Sequence, residues 1–110
     1  MKDTPKDTPA DAPVSVETIL EEAQRLVHGN RGEFYGPPAE DFGKTAAMMS
    51  GLLLPKLKPG ETVSVTEAIL FMVLVKVSRE SHRRKRDNAV DIAGYAALLE
   101  MIGNYREETQ

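Results

Sequence analysis

Residues 64–83 read SVTEAILFMVLVKVSRESHR, and whether this stretch is a helix or a strand decides the fold. Its interior, AILFMVLV at 68–75, is apolar on every side. Periodicity alone therefore fits a buried strand as well as a buried helix. The flanks decide. Ser64-Val-Thr-Glu67 has the spacing of a capping box, in which each side chain satisfies a backbone donor beside the other. The segment then runs on to Arg83, too long for a strand, and no other stretch of the chain offers a partner strand. A helix follows, and one that is apolar all round is expected at the centre of its fold. Its last turns set Lys76, Arg79 and Arg83 at i, i+3 and i+7, on one face.

Working downstream, RRKRDNAVDIAGYAALLE at 83–100 reads as a turn and a fourth helix capped by Asp87 or Asn88. Ala89, Ala93, Gly94, Ala96 and Ala97 let that helix approach a neighbour closely, and Gly103 marks its end. Upstream, Pro55 and the Pro59-Gly60 turn separate the apolar helix from a second helix over 39–54. That helix has Pro38 at its start and Glu40 and Asp41 at the positive end of its dipole. Its apolar stripe is Phe42, Ala46, Met49 and Leu53. Before it, HGNRGEFYGPP at 28–38 holds three glycines and two prolines and reads as a loop carrying Arg31, Glu33, Phe34 and Tyr35. Such a loop either covers a ligand or plugs the end of a bundle. A first amphipathic helix runs from a Ser15 cap, with a Val14 and Ile19 staple, to Gly29.

These elements predict an all-α fold, a four-helix bundle or paired helical hairpins. The expected organisation is one domain over 15–104 between tails at 1–14 and 105–110. The first tail repeats KDTP, has almost nothing to bury and is expected to be disordered. At this size, a large apolar helix predicts a homodimer or higher homo-oligomer.

Composition narrows the chemistry. The 110 residues contain no cysteine, which excludes disulfides, thiol catalysis and cysteine zinc sites. His28 and His82 belong to no metal-binding pattern. A net charge of −3 argues against duplex nucleic acid as a partner. The positive charge is local, because six of the fourteen Lys and Arg residues lie between 76 and 86. The longest apolar run is eight residues, against roughly 20 for a bilayer span, and no apolar leader is visible. Those features predict no membrane partner and a cytoplasmic location.

Folding the third and fourth helices into an antiparallel hairpin sets Lys76 and Arg79 opposite Asp87, Asn88, Asp91 and Tyr95. Asp87, Asp91 and Tyr95, four apart, share a face. One reading is a nucleotide site. Lys76 and Arg79 hold phosphate, Asp87 and Asp91 hold Mg²⁺ shared with the phosphates, and Tyr95 or Tyr35 stacks on the base. The plainer reading is equally complete: Asp87 caps a helix, Asp91 pairs with Lys76 or Arg79, and the basic run is a solvated turn. Lys76, directly after eight apolar residues, needs a partner in either case. Glu17, Glu21, Glu40 and Asp41 form a weaker acidic set of the kind seen on exposed helix faces.

NRGEFYGPPAEDF together with LVKVSRESHRRKRDNAVDIAGYAALLE resembles a family of small helical phage and prophage proteins of unknown function. The pattern is also distantly similar to MazG-like all-α nucleoside triphosphate pyrophosphohydrolases. That similarity implies a dimeric or tetrameric bundle, Mg²⁺ held by Glu-x-x-Glu and Glu-x-x-Asp, and hydrolysis of a triphosphate to monophosphate and pyrophosphate. Asn88-Ala-Val-Asp91 stands where Glu-x-x-Asp would, with Asp87 adjacent, and no Glu-x-x-Glu precedes it. The resulting expectation is a nucleotide-handling protein with Asp87 and Asp91 as catalytic metal ligands. Arg31, Tyr35, Lys76, Arg79, Asn88 and Tyr95 are its ligand-binding residues. The alternatives are a non-catalytic binder, for instance of a signalling nucleotide of host defence, and a purely structural interaction module.

Overall fold

The computed structural model describes residues 16–29 and 31–103; the tails expected at 1–14 and 105–110, and the Ser15 cap, lie outside them. Every regular element among the described residues is helical. In order they are α1 (Ile19–His28), α2 (Arg31–Tyr35), α3 (Pro38–Leu52), a 3-10 turn (Leu54–Lys56), α4 (Val65–His82) and α5 (Arg86–Ile102). Four long helices form the body, as expected, and a fifth, short one occupies the segment read as a loop.

The capping box that made α4 a helix is present. Ser64 Oγ accepts from Glu67 N at 3.0 Å, and the Glu67 carboxylate accepts from Ser64 N at 2.9 Å. Replacing Ser64 by alanine orphans that donor and is expected to cost about 1 kcal/mol, a fall in Tm of roughly 4–8 °C for a domain this size, read by thermal denaturation. The start of α1 differs from expectation. Thr18, not Ser15, is its cap, bonded reciprocally with Glu21. Only Thr18 has a glutamate three residues on, whereas Ser15 has Thr18 there. Gly29 ends α1 as expected, because a Cβ there would sit 2.5 Å from the Arg25 carbonyl oxygen.

The start of α5 also needs correction. Lys85 takes the cap position, and neither Asp87 nor Asn88 caps the helix. The acceptor comes from the preceding helix: Glu80 Oε1 accepts from Lys85 N at 2.9 Å. Between α2 and α3 the chain reverses through Gly36, whose φ of +76° belongs to the left-handed region that favours glycine.

The helix at the centre is α5, packed against α1, α3 and α4. Small residues allow this. At Gly94 a Cβ would already touch Val27 of α1 at 3.5 Å. The core draws one buried side chain from each long helix: Val27, Phe42, Ile69 and Leu98. The expectation that α4 is central fails for half of its surface. Ala68 and Ile69 are fully buried, yet Leu70, Phe71, Leu74 and Val77 stand out of the core. Ser50 fastens the α3–α4 hairpin by donating to the Ala46 carbonyl and accepting from Val63 N, both at 2.8 Å.

Candidate functional site

Between α1, α2, α3 and α5 the chain encloses an open cleft of about 530 Å³. Its floor is apolar, with Ala23, Val27, Val90, Gly94 and Leu98, and its walls hold Phe34, Tyr35, Phe42 and Tyr95. Three charged residues line it as well: Arg31, Asp41 and Asp91.

Arg31 organises the mouth. The short helix α2 projects it over the first turn of α3, where its Nη2 meets Asp41 Oδ2 at 2.7 Å. The guanidinium carbon lies 5.2 Å from the Tyr35 ring centroid and 5.5 Å from that of Phe42, within cation–π range of both. Phe42 in turn meets Tyr95 edge to face, with centroids 6.2 Å apart and planes at 81°. The result is a continuous aromatic and cationic lining built from three helices.

Deeper along α5, Asp91 Oδ2 receives Lys76 Nζ at 2.7 Å, with the two side chains 30% and 14% exposed. The lysine that follows eight apolar residues thus has the partner its burial demands. Burial is the main reason that the Tyr95 phenol is raised above its usual range, and the Asp91 charge pushes the same way. Lys76, Arg31 and Arg79 oppose it. All four charged groups therefore lie within electrostatic reach of one phenol. Among the described residues Arg79 makes no ion pair. Three cations facing Asp41 and Asp91 leave the cluster with one positive charge.

Five of the eight residues singled out from sequence gather here, Arg31, Tyr35, Asp91 and Tyr95 on the walls and Lys76 behind Asp91, with Arg79 in electrostatic range. Two stand elsewhere. Asp87 is exposed and does not line the cleft. Asn88 is buried, but its Nδ2 donates to Glu80 Oε1 at 3.2 Å. Glu80 also accepts from Lys85 N and Arg84 Nε. The Lys85 amide first, then the Asn88 amide, hold its carboxyl below the usual carboxylate range. Asn88 is thus part of the fastening between α4 and α5. The rest of the basic run splits: Arg84 pairs with Glu80, and Arg86 reaches across to Glu22 of α1.

A metal centre is not preformed. Among the described residues no group of three or more His, Asp or Glu side chains could hold a metal ion. The Asp91 carboxylate faces an ammonium at 2.7 Å, so the pair Asp87 and Asp91 does not fit a resident Mg²⁺. Of the weaker acidic set, Glu21 serves the α1 cap, Glu17 pairs with Arg25, and only Asp41 joins the cleft. Asp41 and Phe42 are the cleft residues that sequence reasoning placed only in that weaker acidic set and in an apolar stripe. The signal that would have tied Asp41 to Arg31 is its place ten residues on, across a Gly-Pro-Pro reversal.

No described helix is long and apolar enough to cross a membrane. Over 87 residues the chain is 40% identical to the Gene 55 protein of Mycobacterium phage D29, covering 78% of this chain and 54% of that protein. Over 86 residues it is 30% identical to the Gene 55 protein of Mycobacterium phage L5, covering 77% and 52%. The chain thus spans about half the length of the curated relatives it matches. No solved structure matches it. The family described as Domain of unknown function (DUF6378) matches residues 18–103, which takes in all five helices and every residue of the cleft, and this all-helical chain belongs to that family of phage proteins.

Proposed function

We propose that the cleft binds a nucleotide and holds it without cleaving it. The observation that carries this reading is the meeting of flat aromatic walls with Arg31 in one open cleft, with Lys76 behind Asp91 and Arg79 in electrostatic range. Base stacking on aromatic side chains contributes about 1–3 kcal/mol, and Phe34 and Tyr35 at the mouth, 74% and 63% exposed, are the accessible rings. Phosphate is the ligand group that draws arginine and lysine together, since charge-assisted bonds to it are the strong ones. A cleft of about 530 Å³ suits a ligand of that size. Phosphates would compete with Asp41 and Asp91 for their cations, so Arg79, with no ion pair among the described residues, supplies the first contact. A Mg²⁺ at this site would arrive with the phosphates, as part of the ligand.

The hydrolase reading rests on the resemblance to MazG-like enzymes and requires a metal-activated water. The donor set described above favours holding over cleaving. Phosphorus NMR of the concentrated protein with mixed nucleoside triphosphates and Mg²⁺ separates the readings. Broadened or shifted phosphate lines at constant integral are the expected result. Growth of a pyrophosphate line would replace the binder by the hydrolase, and sharp, unmoved lines would end the nucleotide reading for those compounds. Arg31→Ala is expected to weaken binding by roughly 10–100-fold, the equivalent of one charged hydrogen bond of about 1.5–3 kcal/mol.

A further inference from the structure

One face of α4 is apolar and bare. Leu70, Leu74 and Val77 recur at spacings of four and three, on the side opposite Ile69, Met72 and Lys76, which serve the core and α5. They are 45%, 63% and 48% exposed, and Phe71 beside them is 50% exposed. Ser78 and Ser81, short and exposed, continue the same face toward the C-terminus. An exposed apolar stripe of this kind marks an interaction surface. Its three–four spacing is the seam along which helices pack at a shallow angle.

We propose that α4 pairs with α4 of a second copy of this chain, antiparallel, with Leu74 at the two-fold axis. The charges at the ends of the stripe single out a second copy. Its first turn is acidic, with Glu67 exposed and no cation, and its last turn and cap are basic, with Arg79, His82 and Arg83 exposed. A two-fold contact requires a patch complementary to itself, and this one is so only in the antiparallel sense. Antiparallel pairing lays the acidic end of each copy on the basic end of the other, whereas parallel pairing sets like charge on like. The helix dipoles favour the same arrangement. The pairing also accounts for α4 itself, a helix apolar all round of which the single copy buries only half.

The test uses the full chain. Light scattering after size exclusion is expected to give twice the chain mass of 12.1 kDa. Leu74→Glu is expected to halve that mass while leaving the helical circular dichroism intact, because Leu74 is 63% exposed in the single copy. The chain has no cysteine, so single thiols report geometry cleanly. Leu74→Cys is expected to link two copies under a mild oxidant. Ser81→Cys is expected to stay unlinked, because the two thiols then lie on opposite sides of the axis, roughly 20 Å apart at 1.5 Å per residue. A monomer at the concentration of the phosphorus experiment overturns the proposal, as does Ser81→Cys linking as readily as Leu74→Cys. If Leu74→Glu fails to fold, the two thiol variants decide it alone.

Discussion

Arg86→Ala is expected to lower the stability of the fold by about 2–3 kcal/mol, a drop in Tm of roughly 8–24 °C for a domain of this size. Arg86 opens α5 and reaches back to α1, where its Nη1 bonds the Glu22 carboxylate and its Nη2 donates to the Glu17 carbonyl at 2.8 Å. Glu22 is the only charged residue among the described ones to be buried outright. Removing the guanidinium leaves that carboxylate, 10% exposed, without its partner. Fully buried pairs lose about 3–5 kcal/mol when one member is deleted. The lower figure applies here because the Arg86 side chain is itself 41% exposed. Urea denaturation of Arg86→Ala, Glu22→Gln and the double variant checks this. The expected pattern is a strong loss for Arg86→Ala, a smaller one for Glu22→Gln, and a double variant close to Glu22→Gln alone. Additive losses would mean that the two side chains do not act as a pair.

That latch also shows what a linear reading of the chain reaches and what it misses. The helices were legible because their signals are local. The Ser64 box, the Pro38 start and the stops at Gly29 and Gly103 each involve residues within a turn or two of one another. Of the four misjudged points, the cap of α1 and the segment at 31–35 turned on local residues, and the other two on groups outside the element read. The fifth helix needed no cap from Asp87 because Glu80, in the preceding helix, supplies the acceptor. The segment at 31–35 is a short helix because only Gly32 of its three glycines lies inside it, the others serving the reversals on either side. The apolar α4 looked central because periodicity reports apolar surface without saying whether the same chain or another copy covers it.

The site was legible to the same degree. Lys76, Arg79, Asp91 and Tyr95 sit at helical spacings on two helices joined by a tight turn, so their convergence followed from the hairpin. Arg31 and Tyr35 reached the list through residue type in a glycine-rich segment, and α2 carries both into the cleft. Asp41 read as an ordinary acidic first turn, because its pairing with Arg31 depends on how α2 folds back over α3. Asn88 was misplaced since its neighbour Asp87 is exposed while its own amide turns inward to Glu80.

Asp91→Ala is expected to separate the structural role of the Lys76 pair from its role toward a ligand. The deletion leaves the Lys76 ammonium, 14% exposed, behind the cleft with no carboxylate at 2.7 Å, and is expected to cost about 1–3 kcal/mol. Lys76→Met removes the charge and keeps the apolar stem, and it leaves behind an Asp91 that is 30% exposed with Arg79 in the same electrostatic neighbourhood. Its expected cost is under about 1 kcal/mol. The asymmetry is the signature of a cation that burial makes dependent on its partner. Nucleotide binding should move the opposite way. Lys76→Met removes the proposed phosphate contact and is expected to weaken binding by roughly 10-fold or more, while the fold stays near its original stability. Asp91→Ala frees the ammonium and is expected to leave binding unchanged or tighter at temperatures where the variant is folded. Thermal melts give the first quantity and phosphorus line widths against nucleotide concentration give the second. If both variants lose stability equally and neither alters the phosphate lines of bound nucleotide, the pair is a strut of the bundle and the phosphate contact lies with Arg31 and Arg79 alone.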